Sequence, residues 1–263
     1  MKNQIIELTN LGSVYQTGRH TGKTSEKYGF VSTAELVELV KAEGLYPVRA
    51  KQASVNIAEN NGYQKHSVTF RYERDIARLY EVGEEIPEMT VVNSHMAGSS
   101  IQFWSGMTRC VCDNQLTIKS AAISEVRINH SQFASQKVGE GVAAILAMLP
   151  TVGQQVAKFK AIELSPEEQV LFAESAAILR FDTEKQIVNP SALLNRRRYA
   201  DKAPTLWNTF NAVQENIIKG GVRMQSNETG KRRRAKGVTS LAEDIRLNSA
   251  LWQLTEKMAE LRA

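Results

Sequence analysis

Apolar and polar positions along this chain change period near its middle. In residues 65–72, His66, Val68, Phe70 and Tyr72 alternate with Lys65, Ser67, Thr69 and Arg71, a period of two that predicts a half-buried strand with one polar face. The run Leu45–Ile57 precedes it across Asn60-Asn61-Gly62, so the pair predicts a β-hairpin. Glu88–His95 and Ile101–Ile118 predict two or three further strands joined at Gly98-Ser99-Ser100, and Ile123–Asn129 adds another. Ahead of the strands, Leu36, Leu39 and Val40 form one helical face; Ser32 and Glu35 are spaced as a reciprocal capping pair, Val31 and Leu36 as a staple, and Gly44 as the stop.

Beyond residue 134 the period becomes helical. Val138, Val142, Ile145, Leu149, Val152, Val156 and Phe159 recur along one face, with Pro150 expected to kink or break the run. Ser165-Pro166-Glu167-Glu168 is a strong helix start, and that helix is expected to reach about Arg180. Asn189-Pro190 predicts a short helix carrying Arg196, Arg197 and Arg198. Pro204 opens another that Gly220-Gly221 closes, and Ser240 with Glu243 caps a last one. Val222–Gly237, with few apolar residues and many charges, reads as a mobile loop. The expected fold class is α+β: an N-terminal helix plus a mostly antiparallel sheet (1–134), then a helical C-terminal half (135–263), packed as one continuous unit.

Composition narrows the class. With 263 residues, 42% apolar and 23% charged, the chain can bury a sizeable core. No apolar run reaches the roughly 18 residues of a membrane span, and the polar start Met1–Gln4 lacks a signal-peptide pattern, so a cytoplasmic location is expected.

Charge is distributed unevenly. Residues 191–237 hold eleven Lys and Arg against three acidic residues, a net of +8, which leaves 22 basic against 25 acidic elsewhere. A cationic segment on a near-neutral body suits a polyanion, because Lys and Arg contacts to phosphates supply most nucleic-acid affinity. The candidate nucleic-acid-binding residues are Arg196, Arg197, Arg198, Tyr199, Lys202, Lys219, Arg223, Lys231, Arg232, Arg233, Arg234 and Lys236. Tyr199 and Trp207 add aromatic faces near the arginines, the second ingredient of sequence-tolerant single-strand binding, although Trp207 on an amphipathic helix reads foremost as core.

Other chemistry is weaker. Gly18–Thr24 resembles a phosphate-binding loop, but Thr17 stands where the first glycine belongs and no apolar helix follows at once; it reads as a flexible basic loop able to touch phosphates through Arg19 and Lys23. Cys110 and Cys112 could supply two metal ligands or a redox pair, and His66, His95 and His130 could join them, but nothing in the spacing requires it; buried thiols and core histidines are the plainer reading. Ser94 and His95 are adjacent and face opposite sides of a strand, which disfavours a nucleophile–base pair. With no catalytic or ATP-binding motif evident, the reading leans away from an enzyme and calls for no cofactor and no metal.

Val91-Val92-Asn93-Ser94-His95 through Gly98-Ser99-Ser100, then Thr108-Arg109-Cys110-Val111-Cys112-Asp113-Asn114, resembles the central block of the phage/plasmid-like family known as domain of unknown function 932. The resemblance continues in Phe30-Val31-Ser32-Thr33, Lys65-His66, Phe70-Arg71, Leu193–Arg197, Leu206–Asn211, Gln214–Asn216, Gly220-Gly221 and Arg246–Asn248 with Leu251-Trp252. Gln115 departs from it, standing where the family block tends to have glycine. The family carries no established activity; what it implies is origin in bacterial phages, prophages and plasmids, which removes a nuclear-import reading of Lys231–Arg234.

That origin favours a single-stranded DNA-binding or annealing protein of recombination or replication, oligomeric and ATP-independent, in the bacterial host cell. Its sheet-then-helix order is loosely similar to phage annealing recombinases, an analogy at fold level. Two alternatives are an anti-defence protein that blocks a host enzyme and a nuclease with a non-obvious site using His66, His95 or Asp113.

Overall fold

The computed structural model describes residues 8, 11–77, 85–109, 115–117, 125–197 and 201–262. The chain divides into two units, the first comprising 1–81, 85–108 and 122–152, the second 82–84, 109–121 and 153–263. In chain order the elements are α1 (Thr33–Ala42), β1 (Leu45–Gln52), β2 (His66–Tyr72), α2 (Glu73–Ala77), β3 (Glu85–Asn93), β4 (Ile101–Arg109), β5 (Gln115–Thr117) and β6 (Val126–Ile128). They continue with α3 (Ala134–Ala161), α4 (Pro166–Arg180), β7 (Gln186–Val188), α5 (Leu206–Lys219), β8 (Arg223–Ser226), β9 (Arg232–Arg234) and α6 (Leu241–Leu261). The fold class is α+β, with the antiparallel sheet in the N-terminal half and helices dominating the C-terminal half.

The first unit grows from local signals. Ser32 is extended and its Oγ accepts the Glu35 N–H at 3.2 Å, which starts α1. Gly44, at φ +78°, turns the chain from that helix into β1, a conformation L side chains resist. The buried face of α1 is Leu36, Val37 and Val40; Leu39, expected on that face, is 39% exposed. β1 pairs antiparallel with β2 from Leu45↔Tyr72 to Gln52↔His66, with a register shift between Pro47 and Arg49. β2 pairs with β3 from His66↔Asn93 to Phe70↔Met89, and β6 pairs with Ile101–Phe103 of β4.

One face of this sheet packs Val68, Phe70, Met89, Val91, Ile101 and Phe103 against Leu36 and Val40 of α1 and Val138, Val142, Ile145 and Leu149 of α3. The opposite face carries the polar alternates of β2, and it is buried too: Arg71 is 2% exposed and Glu88 1%. The half-buried strand expected for 65–72 is therefore covered on both sides. Its charges survive burial by pairing, since Arg71 Nε and Arg49 Nη2 both donate to the Glu88 carboxylate, while Thr69 and Thr90 share a hydroxyl hydrogen bond of 2.9 Å.

α3 continues through Pro150 without the break that was one of the two outcomes expected there. The proline ring faces outward while Ile145, Leu149 and Val152 continue the buried stripe past it, so packing outweighs the lost backbone hydrogen bond. By length and composition α3 is also the one helix among the described residues able to cross a membrane, longer and more apolar than the sequence pattern promised. Its Val138, Val142, Ile145 and Leu149 are part of the core described above.

Gly29 closes the first unit tightly. Its N–H reaches the His130 carbonyl at 3.2 Å, and a β-carbon there would overlap the Ser131 carbonyl, a backbone group unable to swing aside. Gly29→Ala is expected to cost about 2–4 kcal/mol in urea unfolding, whereas Gly12→Ala should stay within about 0.5 kcal/mol. At Gly12 a β-carbon meets no atom within 4 Å. Equal stability of the two variants would refute this packing.

In the second unit α4 begins with a complete capping box: Ser165 Oγ accepts the Glu168 N–H at 3.2 Å and Glu168 Oε2 accepts the Ser165 N–H at 2.7 Å. α5 is buried on all sides from Leu206 to Ile217. Trp207 and Phe210 stack at 5.3 Å, and Trp252 of α6 meets Phe159 edge-on at 5.1 Å, giving an aromatic centre. Asn211 and Asn216, on the same helix, hydrogen-bond backbone carbonyls. β7, β8 and β9 form a separate antiparallel sheet in that order.

Candidate nucleic-acid interface

The segment 222–237 is a β-hairpin, not the mobile loop its composition suggested. β8 and β9 pair as Arg223↔Arg234, Met224↔Arg233 and Gln225↔Arg232, and β8 is anchored on its other side by β7. Gly230, at φ +65°, completes the turn, and Asn227 Nδ2 ties its base to the Glu184 carbonyl at 2.6 Å. Backbone pairing with residues about 40 positions upstream supplies the order that an arginine-rich sequence lacks. Lys231, Arg232, Arg233, Arg234 and Lys236 are all exposed, and β9 lies at the edge of its sheet, where charged side chains also discourage pairing with another chain.

Arg196 and Arg197 follow a short 3-10 helix, Pro190–Leu194, and lie in extended chain beyond it, not on the helix. Arg197 Nη2 donates to Asn216 Oδ1 at 3.0 Å and to the Gly220 carbonyl at 3.1 Å. Asn216, 3% exposed, uses its Nδ2 for the carbonyls of Leu193, Asn195 and Ala212. One buried amide thus fixes both the turn and the guanidinium. Arg196 Nη2 donates to Gln169 Oε1 at 2.6 Å, Arg232 Nε to Gln225 Oε1 at 3.3 Å and Arg234 Nη1 to the Gly221 carbonyl at 3.5 Å. These acceptors are neutral, so the guanidiniums are oriented while their charge remains available to a ligand.

Lys219 differs, because it pairs with Glu215 at 3.0 Å and part of its charge is spent. Lys202 is exposed beside the start of α5. Arg198 and Tyr199 lie outside the described residues. Trp207 is 1% exposed, and every described aromatic side chain of this unit is buried, so among the described residues no ring is offered for base stacking.

Two grooves flank the hairpin. One, of about 500 Å³, is lined by Arg197, Arg223 and Arg234 with Asn189, Asn195 and Asn216. The other, of about 270 Å³, is lined by Arg180, Arg233, Arg234 and Lys236 beside Phe181 and Met224. No acidic residue lines either among the described residues. Arg180 escaped sequence reasoning because it is an isolated cation in the last turn of α4; its Nη2 donates to the Lys236 carbonyl at 3.2 Å.

In the first unit the histidines converge. His66 Nε2 meets Thr33 Oγ1 at 2.8 Å, and its Nδ1 donates to the Gln64 carbonyl at 2.9 Å. Asn93 Nδ2 donates to the same Thr33 oxygen at 2.9 Å. His95 lies 5.1 Å from the His66 ring, with its Nε2 donating to the Ser13 carbonyl at 2.8 Å. Burial lowers the pKa of His66 to about 4 and, with the neighbouring rings of His66 and His130, that of His95 to about 3; burial lowers His130 as well. His66 and His95 are neutral core histidines, joined by Thr33 and Asn93, which the sequence reading named only within the family resemblance; His130 is partly buried, with its Nδ1 donating to the Gly29 carbonyl at 3.0 Å. No group of three metal-ligating side chains forms among the described residues, and Cys110, Cys112 and Asp113 lie outside them.

Ser94 and His95 lie just beyond β3 and not on a strand as expected; Ser94 Oγ points to the Tyr63 and Met96 carbonyls, while His95 Nε2 donates to the Ser13 carbonyl. The Gly18–Thr24 loop is followed by no helix until Thr33. Arg19 Nη1 is turned inward to the carbonyls of Thr24 and Ser25, so its side chain serves that loop.

A family model described as Domain of unknown function (DUF932) matches residues 20–252. Two proteins of Escherichia coli (strain K12), UPF0380 protein YfjQ and UPF0380 protein YafZ, are each 32% identical to this chain over 246 residues, covering 94% of it and 87% of the relative. No solved structure matches it.

Proposed function

We propose, from the premise that the chain belongs to the DUF932 family, that it is a nucleic-acid-binding protein of a phage or plasmid that holds single-stranded DNA during recombination or replication. The observation that carries this reading is the hairpin of the second unit with the adjoining residues 196 and 197: Arg232 and Arg234 on one hairpin face, and Arg196 and Arg197, are oriented by neutral acceptors, and the hairpin borders two grooves with no acidic lining among the described residues. Such a surface binds backbone phosphates and reads little sequence. Arg232 and Arg234 are two residues apart on one face, roughly 6.6 Å by strand rise, which suits successive phosphates along one nucleic-acid strand.

Binding to fluorescent oligonucleotides across a salt series tests it. If about five phosphates are neutralised, the slope of log affinity against log salt is about −3.5, and affinity falls roughly 100-fold between 50 and 200 mM salt. Affinity that holds through that range, or no binding at the low end, overturns the proposal. Annealing activity adds a second readout, the rate at which complementary strands pair without ATP.

A further inference from the structure

The larger groove of the second unit has features that general backbone binding does not require. Arg223 and Arg234 are directly opposite each other in the β8–β9 register and both line it. Like charges in that position repel and weaken the sheet unless an anion lies between them. Arg197 reaches the same groove from the third side, tied back through Nη2 alone to Asn216 and Gly220. Gly221, at φ +88°, borders it, and a β-carbon there would lie 3.9 Å from Arg197 Nη2. A longer side chain at that position would crowd the space in front of the guanidinium. Three arginines lining one groove, with no acidic residue in the lining among the described residues, exceed what one diester needs, since a diester carries a single charge. A phosphate monoester carries about −1.5 to −2 at neutral pH and three terminal oxygens suited to paired arginine contacts. The volume, about 500 Å³, is more than a bare phosphate fills and lies within the range of small-molecule sites. Asn195 and the Asn189 Nδ2 add amide groups at the wall, suited to a sugar or base edge, while the Asn216 amide is committed to Arg197 and backbone carbonyls.

We propose that the groove formed by Arg197, Arg223 and Arg234 binds the terminal phosphate monoester of a nucleotide. The inference rests on the nucleic-acid reading above and deepens it: the hairpin surface holds the strand, and this groove holds its phosphorylated end. The same chemistry is offered by a strand end and by a free nucleoside monophosphate, so the test separates them. Oligonucleotides identical except for a 5′-phosphate, a 3′-phosphate or hydroxyls at both ends are compared by fluorescence anisotropy, with adenosine 5′-monophosphate as competitor.

One phosphorylated end is expected to bind about tenfold tighter than the hydroxyl form, from two or three added charge-assisted hydrogen bonds. Arg223→Gln and Arg234→Gln, with folding checked by circular dichroism, should erase that advantage and weaken the hydroxyl-ended oligonucleotide only about two- to threefold, as loss of one phosphate contact does. Competition that removes the advantage at micromolar nucleotide assigns the free nucleotide as a ligand in its own right, and competition only at millimolar levels assigns the strand end; both support the groove. Equal affinity of phosphorylated and hydroxyl oligonucleotides overturns the inference and leaves the nucleic-acid reading standing. If no oligonucleotide binds, that reading fails instead, and calorimetry with adenosine 5′-monophosphate decides the groove: heat lost in Arg234→Gln supports it, and no heat in the unaltered protein overturns it.

Discussion

Reversing three charges together, with Arg232→Glu, Arg233→Glu and Arg234→Glu, is expected to eliminate measurable DNA binding near physiological salt. The three side chains are exposed on an edge strand whose order comes from backbone pairing with β8, so the substitution changes the field without removing a packed contact. Three phosphate contacts become three repulsions, which by counterion arithmetic lowers affinity by about 1000-fold or more. Neutral replacement of the same residues by glutamine should instead leave weak binding, with a salt slope shallower by about 2. Circular dichroism and thermal unfolding of both variants should match the parent within a few degrees, since no buried side chain is altered. If the glutamate variant binds as the parent does, the hairpin is not the interface, and the field of Arg196 and Arg197 alone must be tested.

The second large effect is acid lability of the first unit. His66 and His95 are buried and held neutral, with pKa values of about 4 and about 3 against 6.5 for a free side chain. Above pH 6.5 neither the folded nor the unfolded chain binds these protons, and the packing contribution is fully present. Below it the unfolded chain takes up protons that the folded chain refuses, so stability falls with pH until about 4 for His66 and about 3 for His95. Two such groups impose a slope of up to about 3 kcal/mol per pH unit in the steep part of that window. Protonation would place a second N–H on the His66 ring at Thr33, whose oxygen already accepts from Asn93, and a like charge 5.1 Å from His95. Urea unfolding between pH 7 and pH 4.5 should show this decline. Ring resonances of His66 and His95 that titrate near pH 6.5 in the folded protein would contradict the buried, neutral state.

Local signals in the sequence were read correctly where a few neighbouring residues decide the outcome. Ser32 starts α1, Ser165 and Glu168 box the start of α4, Ser240 caps α6, and the alternation of residues 65–72 marks a strand. The failures share a cause, which is that the deciding partner is distant in sequence. β9 consists of three arginines, a poor strand by composition, and exists because β8 joins it to β7. The buried polar face of β2 could not be told from a solvated one, because the Arg71–Glu88 pair spans 17 residues. Of the site, the charge of the 191–237 segment was visible at once, as a count of residues. Which arginines face one groove was not, since Arg197 meets Arg223 and Arg234 only through the placement of β8 beside the 190–197 turn. Arg180 carried no signal at all. The clustering of His66 and His95 around Thr33 and Asn93 likewise depends on sheet register, which pairs His66 with Asn93 across strands.

Asn216 is buried, yet its amide holds the two carbonyls that shape the turn before Arg196 and accepts from Arg197 itself. On the proposed function, a genetic screen for variants that fold but no longer retain DNA would return this interior position along with surface arginines. Scored by distance to the ligand, it would be discarded as a stability defect. Its signature is double: lower stability from the carbonyls left unpaired, and a loss of binding larger than equal destabilisation causes at other interior positions.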